Sequence, residues 1–148
     1  MAVSAKWYGL GLKHFMMGDI LWKASGGSTI KVMLLTSSAT LNQDTDEYID
    51  DVSANQVAGD GYVAGGAALT LADPAYTGAT NILKLDANDV SWSASTITAR
   101  YAIIYYDTET PATSPVIGYV DFGEDKVSSS GTFTITWDAA GIFKITAS

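Results

Sequence analysis

Cysteine is absent from this 148-residue chain. No disulfide framework and no thiolate metal site can form, so any robustness must come from packing or assembly. Histidine occurs once, at His14, which excludes metal sites built on histidine pairs. It leaves general-base chemistry a single imidazole, unaccompanied by a serine motif such as GxSxG. Beside Phe15 on a helical stretch, His14 reads as structural. Cations are scarce as well: 8 Lys and Arg stand against 16 Asp and Glu, for a net charge of −8. A nucleic-acid binder needs cations to replace the counterions around phosphate, so nucleic acid is not an expected partner. Long apolar runs are missing too, none approaching the roughly 20 residues of a bilayer-spanning helix. The N-terminus lacks the basic, apolar and small-residue regions of a secretory signal. The expectation is a soluble protein made in a cytoplasm, without membrane contact.

What the chain does have is apolar and aromatic. Hydrophobic residues make up 47% and charged residues 16%, a balance that favours a packed core over disorder. The length suits a single domain over 1–148. Charge is unevenly placed: Met1 to Lys31 carries four lysines against Asp19 alone, while Asp44 to Asp138 holds fifteen acids against Lys84, Arg100 and Lys126. A self-repelling soluble surface is the plainer consequence. Docking of the basic head on an acidic neighbour, including the body of another copy, is the sharper one.

The clearest structural signal lies between Thr96 and Ile145. Thr132 to Trp137 alternates so that Phe133, Ile135 and Trp137 share one face and the three threonines the other, the mark of a half-buried strand. Val116 to Phe122 and Ile97 to Tyr106 are rich in β-branched and aromatic residues and are bounded by turn formers. Three strands in an antiparallel meander are expected, with Ile142 to Ala147 as a fourth after the tight turn Asp138–Gly141. Ile30 to Leu35 is apolar on both faces apart from Lys31 and predicts a central strand covered on each side. Gly65 and Gly66 predict a bulge or a close approach of two backbones.

At the other end, residues 1–24 predict a helix and docking segment. Ser4 is placed to cap a helix over Ala5–Met17, with Tyr8, Leu12, Phe15 and Met16 on one face and Gly18 as a left-handed C-terminal cap. Gly9 and Gly11 weaken it by roughly 1 kcal/mol each, so packing must hold it. About eight short strands over 30–148 after one helix predict an all-β fold, an antiparallel β-sandwich or jelly roll with one N-terminal α-helix.

Reactive constellations are thin. Asp44 to Asp51 offers oxygen ligands but not the EF-hand spacing, and a solvated acidic loop is the better reading than a calcium site. GDGYVAGG lacks both GxGxxG spacing and the Walker lysine. No cofactor and no catalytic residue is expected. The aromatic supply is more telling. Tyr101, Ile103 and Tyr105 share one face of their strand, and Arg100, Ala102, Ile104 and Tyr106 the other, so one end of it needs cover on both sides. That cover is either the helix or a neighbouring subunit, since Tyr, Trp and Arg are common in interface centres. The interface candidates are Trp7, Tyr8, Trp22, Arg100, Tyr101, Tyr105 and Tyr106.

The blocks IKVMLLTS at Ile30, DVSANQVAGDGYVAGG at Asp51, DANDVSW at Asp86, TITARYAIIYYDT at Thr96, SPVIGYVDFGED at Ser114 and TFTITWDAAGIFKI at Thr132 resemble a family of small virion proteins of tailed bacteriophages. Some members are similar to capsid decoration, or cement, proteins built on a β-sandwich. The resemblance implies a non-enzymatic virion structural protein on the capsid exterior, with the phage major capsid protein as partner. It also implies a homo-oligomer, a trimer first. A neck or tail component is the alternative within that class, and a carbohydrate-binding module using Tyr105 or Tyr106 is the alternative outside it.

Overall fold

The computed structural model describes residues 2–147, so Met1 and Ser148 at the two ends of the expected domain lie outside the described residues. In chain order the elements are β1 (Ala2–Val3), β2 (Lys6–Trp7), α1 (Gly9–Met17), β3 (Ile30–Leu35), β4 (Ala67–Ala68), β5 (Ala75–Thr77), β6 (Ile82–Leu85), β7 (Val90–Tyr106), β8 (Val116–Trp137) and β9 (Phe143–Thr146). Short 3-10 turns occupy Ile49–Asp51, Ser53–Asn55 and Pro111–Thr113. The fold is β-rich with one helix among the described residues. One sheet runs β1-β8-β7-β3-β4 with β2 also on β8, and a second runs β5-β6-β9. All pairings are antiparallel except β1 with β8, and both sheets are open.

The meander expected from Ile97 to Trp137 is instead one long hairpin. Where turn formers suggested a break between Phe122 and Gly131, β8 runs on beside β7 and absorbs them as bulges. Phe122–Asp125 stand opposite Arg100 alone, because Ala99 pairs with Lys126 but Tyr101 with Asp121. Further along, Ser93 and Ala94 oppose Thr132, and Thr96 opposes Ser129 and Ser130. Ala94 and Ser130 both take left-handed backbone there (φ 48°). The bulges leave polar groups buried, and side chains satisfy them. Ser95 Oγ and Ser128 Oγ share a 2.7 Å bond, and Ser128 Oγ accepts the Ile97 N–H at 3.2 Å. The fourth strand is present as β9, but it pairs with β6 and not with the meander.

β3 is covered on both sides, as its sequence predicts. Ile30, Val32 and Leu34 face a large core that includes Ala102, Ile104, Ile117 and Trp92, and Leu85 and Phe143 of the second sheet close it. Met33 and Leu35 face a smaller core with Ile103, Tyr105 and Val116, closed by Tyr8, Ala39, Ile49 and Val52. The acidic stretch Thr36–Gly61, expected as a surface loop, is thus the lid of a second core. Its few apolar residues sit among acids and leave no periodic signal.

The helix is shorter than expected and shows a different face. It begins at Gly9, because Lys6 and Trp7 pair as a strand with Tyr119 and Gly118 of β8, and Tyr8, not Ser4, holds the N-cap position. Gly18 closes it in the left-handed conformation (φ 83°), as its sequence predicts. Its buried residues are Gly11 and His14, while Met16 is 80% exposed. A Cβ on Gly11 would lie 2.5 Å from the Val116 carbonyl oxygen, so only glycine lets the helix sit this close to β8. At Gly66 (φ 84°) a Cβ would overlap the Val32 carbonyl, which is the close backbone approach the Gly-Gly pair implied.

Candidate functional site

Three of the interface candidates are core residues. Tyr8 is fully buried, its ring 5.2 Å from that of Tyr119. Trp22 sets its edge on Phe143 and donates from Nε1 to the Asp86 carbonyl at 3.3 Å. Tyr105 donates from Oη to the Gly65 carbonyl at 2.6 Å, and burial pushes its hydroxyl pKa well above the usual range. None of the three is on offer to a partner, because the chain's own packing has taken them. The expectation of docking through Tyr8 and Trp22 is corrected accordingly, as is sugar stacking on Tyr105.

The other four are partly exposed. Trp7 stacks on Phe143 with ring centroids 4.2 Å apart and meets Phe15 edge-on. Tyr106 packs against the larger core. Arg100 donates from Nε to Asp121 Oδ1 at 2.7 Å and lies over the Tyr101 ring. That bond holds the Asp121 carboxyl below its ordinary range. Trp7 and Tyr106 lie far from Arg100 in the packing scheme, the first on the second sheet and the other at the far end of β7, so the seven do not form one surface.

His14 is buried between two carboxylates, with Nδ1 2.8 Å from Asp19 Oδ2 and Nε2 3.1 Å from Glu47 Oε1. It ties the end of α1 to the acidic lid. The lid's other carboxylates are also occupied: Asp46 Oδ2 accepts the Asn42 N–H, and Asp51 Oδ2 accepts those of Glu47 and Tyr48. Among the described residues no group of three or more His, Asp or Glu side chains converges as a metal ligand set. The Tyr8 hydroxyl is the buried polar atom left without a hydrogen bond among the described residues. Asp46 stands near enough for its charge to act on Tyr8, but not in bonding geometry; burial is the main reason both groups titrate above their ordinary ranges.

The surface that does stand open lies beside α1. Leu12, Phe15, Met16, Ile20, Leu21 and Trp22 form one wall of a groove, with Leu83 and Ile145 of the second sheet opposite. Met16 (80%), Met17 (62%) and Leu21 (50%) are among the most exposed large apolar side chains of the chain. At about 220 Å³ the groove admits one or two side chains, and falls short of the roughly 300–1,000 Å³ of small-molecule sites. Periodicity flagged Leu12, Phe15 and Met16 as a single apolar face. It could not tell that Gly11 and His14 would face the sheet and turn Met16 outward.

Charge picks out the same place. Lys31, Lys84, Arg100 and Lys126 are each paired with an acid. Lys6 lends its charge to Asp121. Lys13, Lys23 and Lys144 are exposed, and among the described residues they form no ion pair; each adjoins a groove residue, Leu12, Trp22 or Ile145. An apolar slot rimmed by unpaired cations is a surface suited to adhesion. Comparison with known proteins returns no matching family model, no matching curated sequence and no matching solved structure.

Proposed function

We propose that this chain is a non-enzymatic structural protein of a tailed-phage virion, first of all a decoration protein that grips the coat lattice from the capsid exterior. The observation that carries the reading is the groove beside α1, where exposed apolar side chains and unpaired lysines coincide on a chain of net charge −8. The strand blocks that resemble small virion proteins support it from the sequence side. We read the two sheets, which share one core through Leu85 and Phe143, as a β-sandwich of the kind that resemblance implies. In this reading the aromatic residues stabilise the particle-bound subunit by packing, and adhesion falls to the groove. Repetition over a lattice makes such contacts durable, because each later contact forms at high effective concentration.

The test is the position and copy number of the protein in purified particles. Electron microscopy of virions carrying a labelled version should place label over the head, with copies in the hundreds. A dozen or fewer copies at one vertex would make it a neck or tail component, and absence from purified particles would end the virion reading. Deleting Met1 to Lys23 is unsuited to the purpose, since it takes Tyr8, Ile20 and Trp22 out of the two cores.

A further inference from the structure

We infer that the groove beside α1 receives the acidic face of a second copy of this chain, in a head-to-tail contact. This deepens the adhesive reading above and rests on it only for the location of the surface.

Charge complementarity argues for the occupant. Lys13, Lys23 and Lys144 lie within a residue of the groove lining, inside the roughly 8–10 Å over which a surface charge acts at physiological salt. Whatever fills the slot should therefore bring carboxylates around an apolar contact. The chain itself carries such a surface on its other side. Asp44, Asp50, Asp60, Asp89 and Glu109 are exposed and, among the described residues, form no ion pair. Residues 2–31 hold four lysines and one acid; the acids of the lid and the hairpin loop lie beyond them in sequence. The two halves of the charge imbalance match each other.

The same charges decide the symmetry. A two-fold contact would set groove against groove and bring one copy's three lysines onto the other's, a like-charge arrangement that opposes association. Head-to-tail contact joins unlike surfaces, and it leaves one groove and one acidic face free on every open assembly. Such contacts close into a ring when the rotation per copy allows and otherwise extend.

Sedimentation of the full chain over a range of concentrations is the experiment, with Met16→Glu and Leu21→Glu as variants. Both positions are exposed, so circular dichroism and thermal midpoint should match the parent chain while association falls by about a hundredfold or more. Raising salt should weaken the parent's association by about tenfold. The decisive arm is mixing. A labelled Met16→Glu chain keeps its acidic face, so it should enter parent assemblies as a terminator and shrink them. A parent chain that stays monomeric at every concentration overturns the inference; so do variants that associate normally, or a labelled variant excluded from parent assemblies. A monomer that still coats phage heads would leave the proposed function standing, and an assembly that ignores phage would leave this one standing.

Discussion

The two faces of the β3-β7-β8 sheet are closed in different ways. One face is sealed by a second sheet, whose Phe143 meets Trp7 and Trp22 in stacked and edge-on contacts and sits against Gly118, where any Cβ would collide with its ring. The other is sealed by an irregular acidic lid, where Tyr8 buries a hydroxyl without a partner and Asp46 is pushed above the ordinary carboxylate range by burial. The first closure is apolar and interlocked, so it resists change. The second combines a few apolar anchors with a dense set of carboxylates, and it is the face that should respond to pH and to local opening.

The largest expected effect tests the interlocked side. Phe143→Ala removes the ring on which both tryptophans pack and should cost about 3–5 kcal/mol, read by chemical denaturation. A loss below 1 kcal/mol would mean that the second sheet is not a structural closure. Ile49→Ala in the lid should cost about 2–3 kcal/mol, at the lower end for buried isoleucine because an irregular cover can settle into the space. Hydrogen exchange should show the lid amides opening first in that variant while β7 and β8 stay protected.

Tyr8→Phe sharpens the contrast in the opposite direction. It removes a buried donor that lacks a partner while keeping the ring against Tyr119, so stability should rise by about 1 kcal/mol. A loss of the same size would show that the hydroxyl is satisfied.

The smallest effect separates the two faces by pH. Asp46 titrates higher in the folded chain than in the unfolded one, so folding takes up a proton there and this group's contribution improves as pH falls through its raised pKa. Asp107 behaves oppositely. Burial raises its pKa, but the Lys31 ammonium, 2.6 Å away, and the Glu109 N–H outweigh this and hold it below the ordinary value. Its contribution is therefore present above the unfolded carboxylate range and lost as pH falls through the lowered pKa. Asp46→Asn keeps an acceptor for the Asn42 N–H and removes the charge. It should be more stable than the parent at neutral pH, with the gap closing on acidification, as read by denaturation at several pH values. A gap that does not change with pH would remove Asp46 from the account.

The legible parts of the fold were those written in local pattern. The alternation of Thr132 to Trp137, the two-sided apolar run Ile30–Leu35, the Gly18 cap and the Gly65-Gly66 approach each depend on residues a few positions apart. The candidate site was much less legible. Tyr, Trp and Arg are common both in cores and in interface centres, and Tyr8, Trp22 and Tyr105 belong to cores here because β2, the second sheet and Gly65 cover them. Likewise Phe122–Ser130 is rich in turn formers, yet it runs as strand, since side chains such as Ser128 satisfy the backbone that the bulges leave unpaired.

Composition, charge asymmetry and β-rich character follow from this sequence alone, as does the want of any cysteine framework, because each is a sum over residues or a short-range period. Which aromatic residues are buried, where the helix starts and which apolar side chains remain in solvent were decided only by tertiary structure. The reason is steric: Gly11 is the point at which α1 can touch β8, and that single close contact turns Met16 and Met17 outward beside Leu21 and so creates the groove.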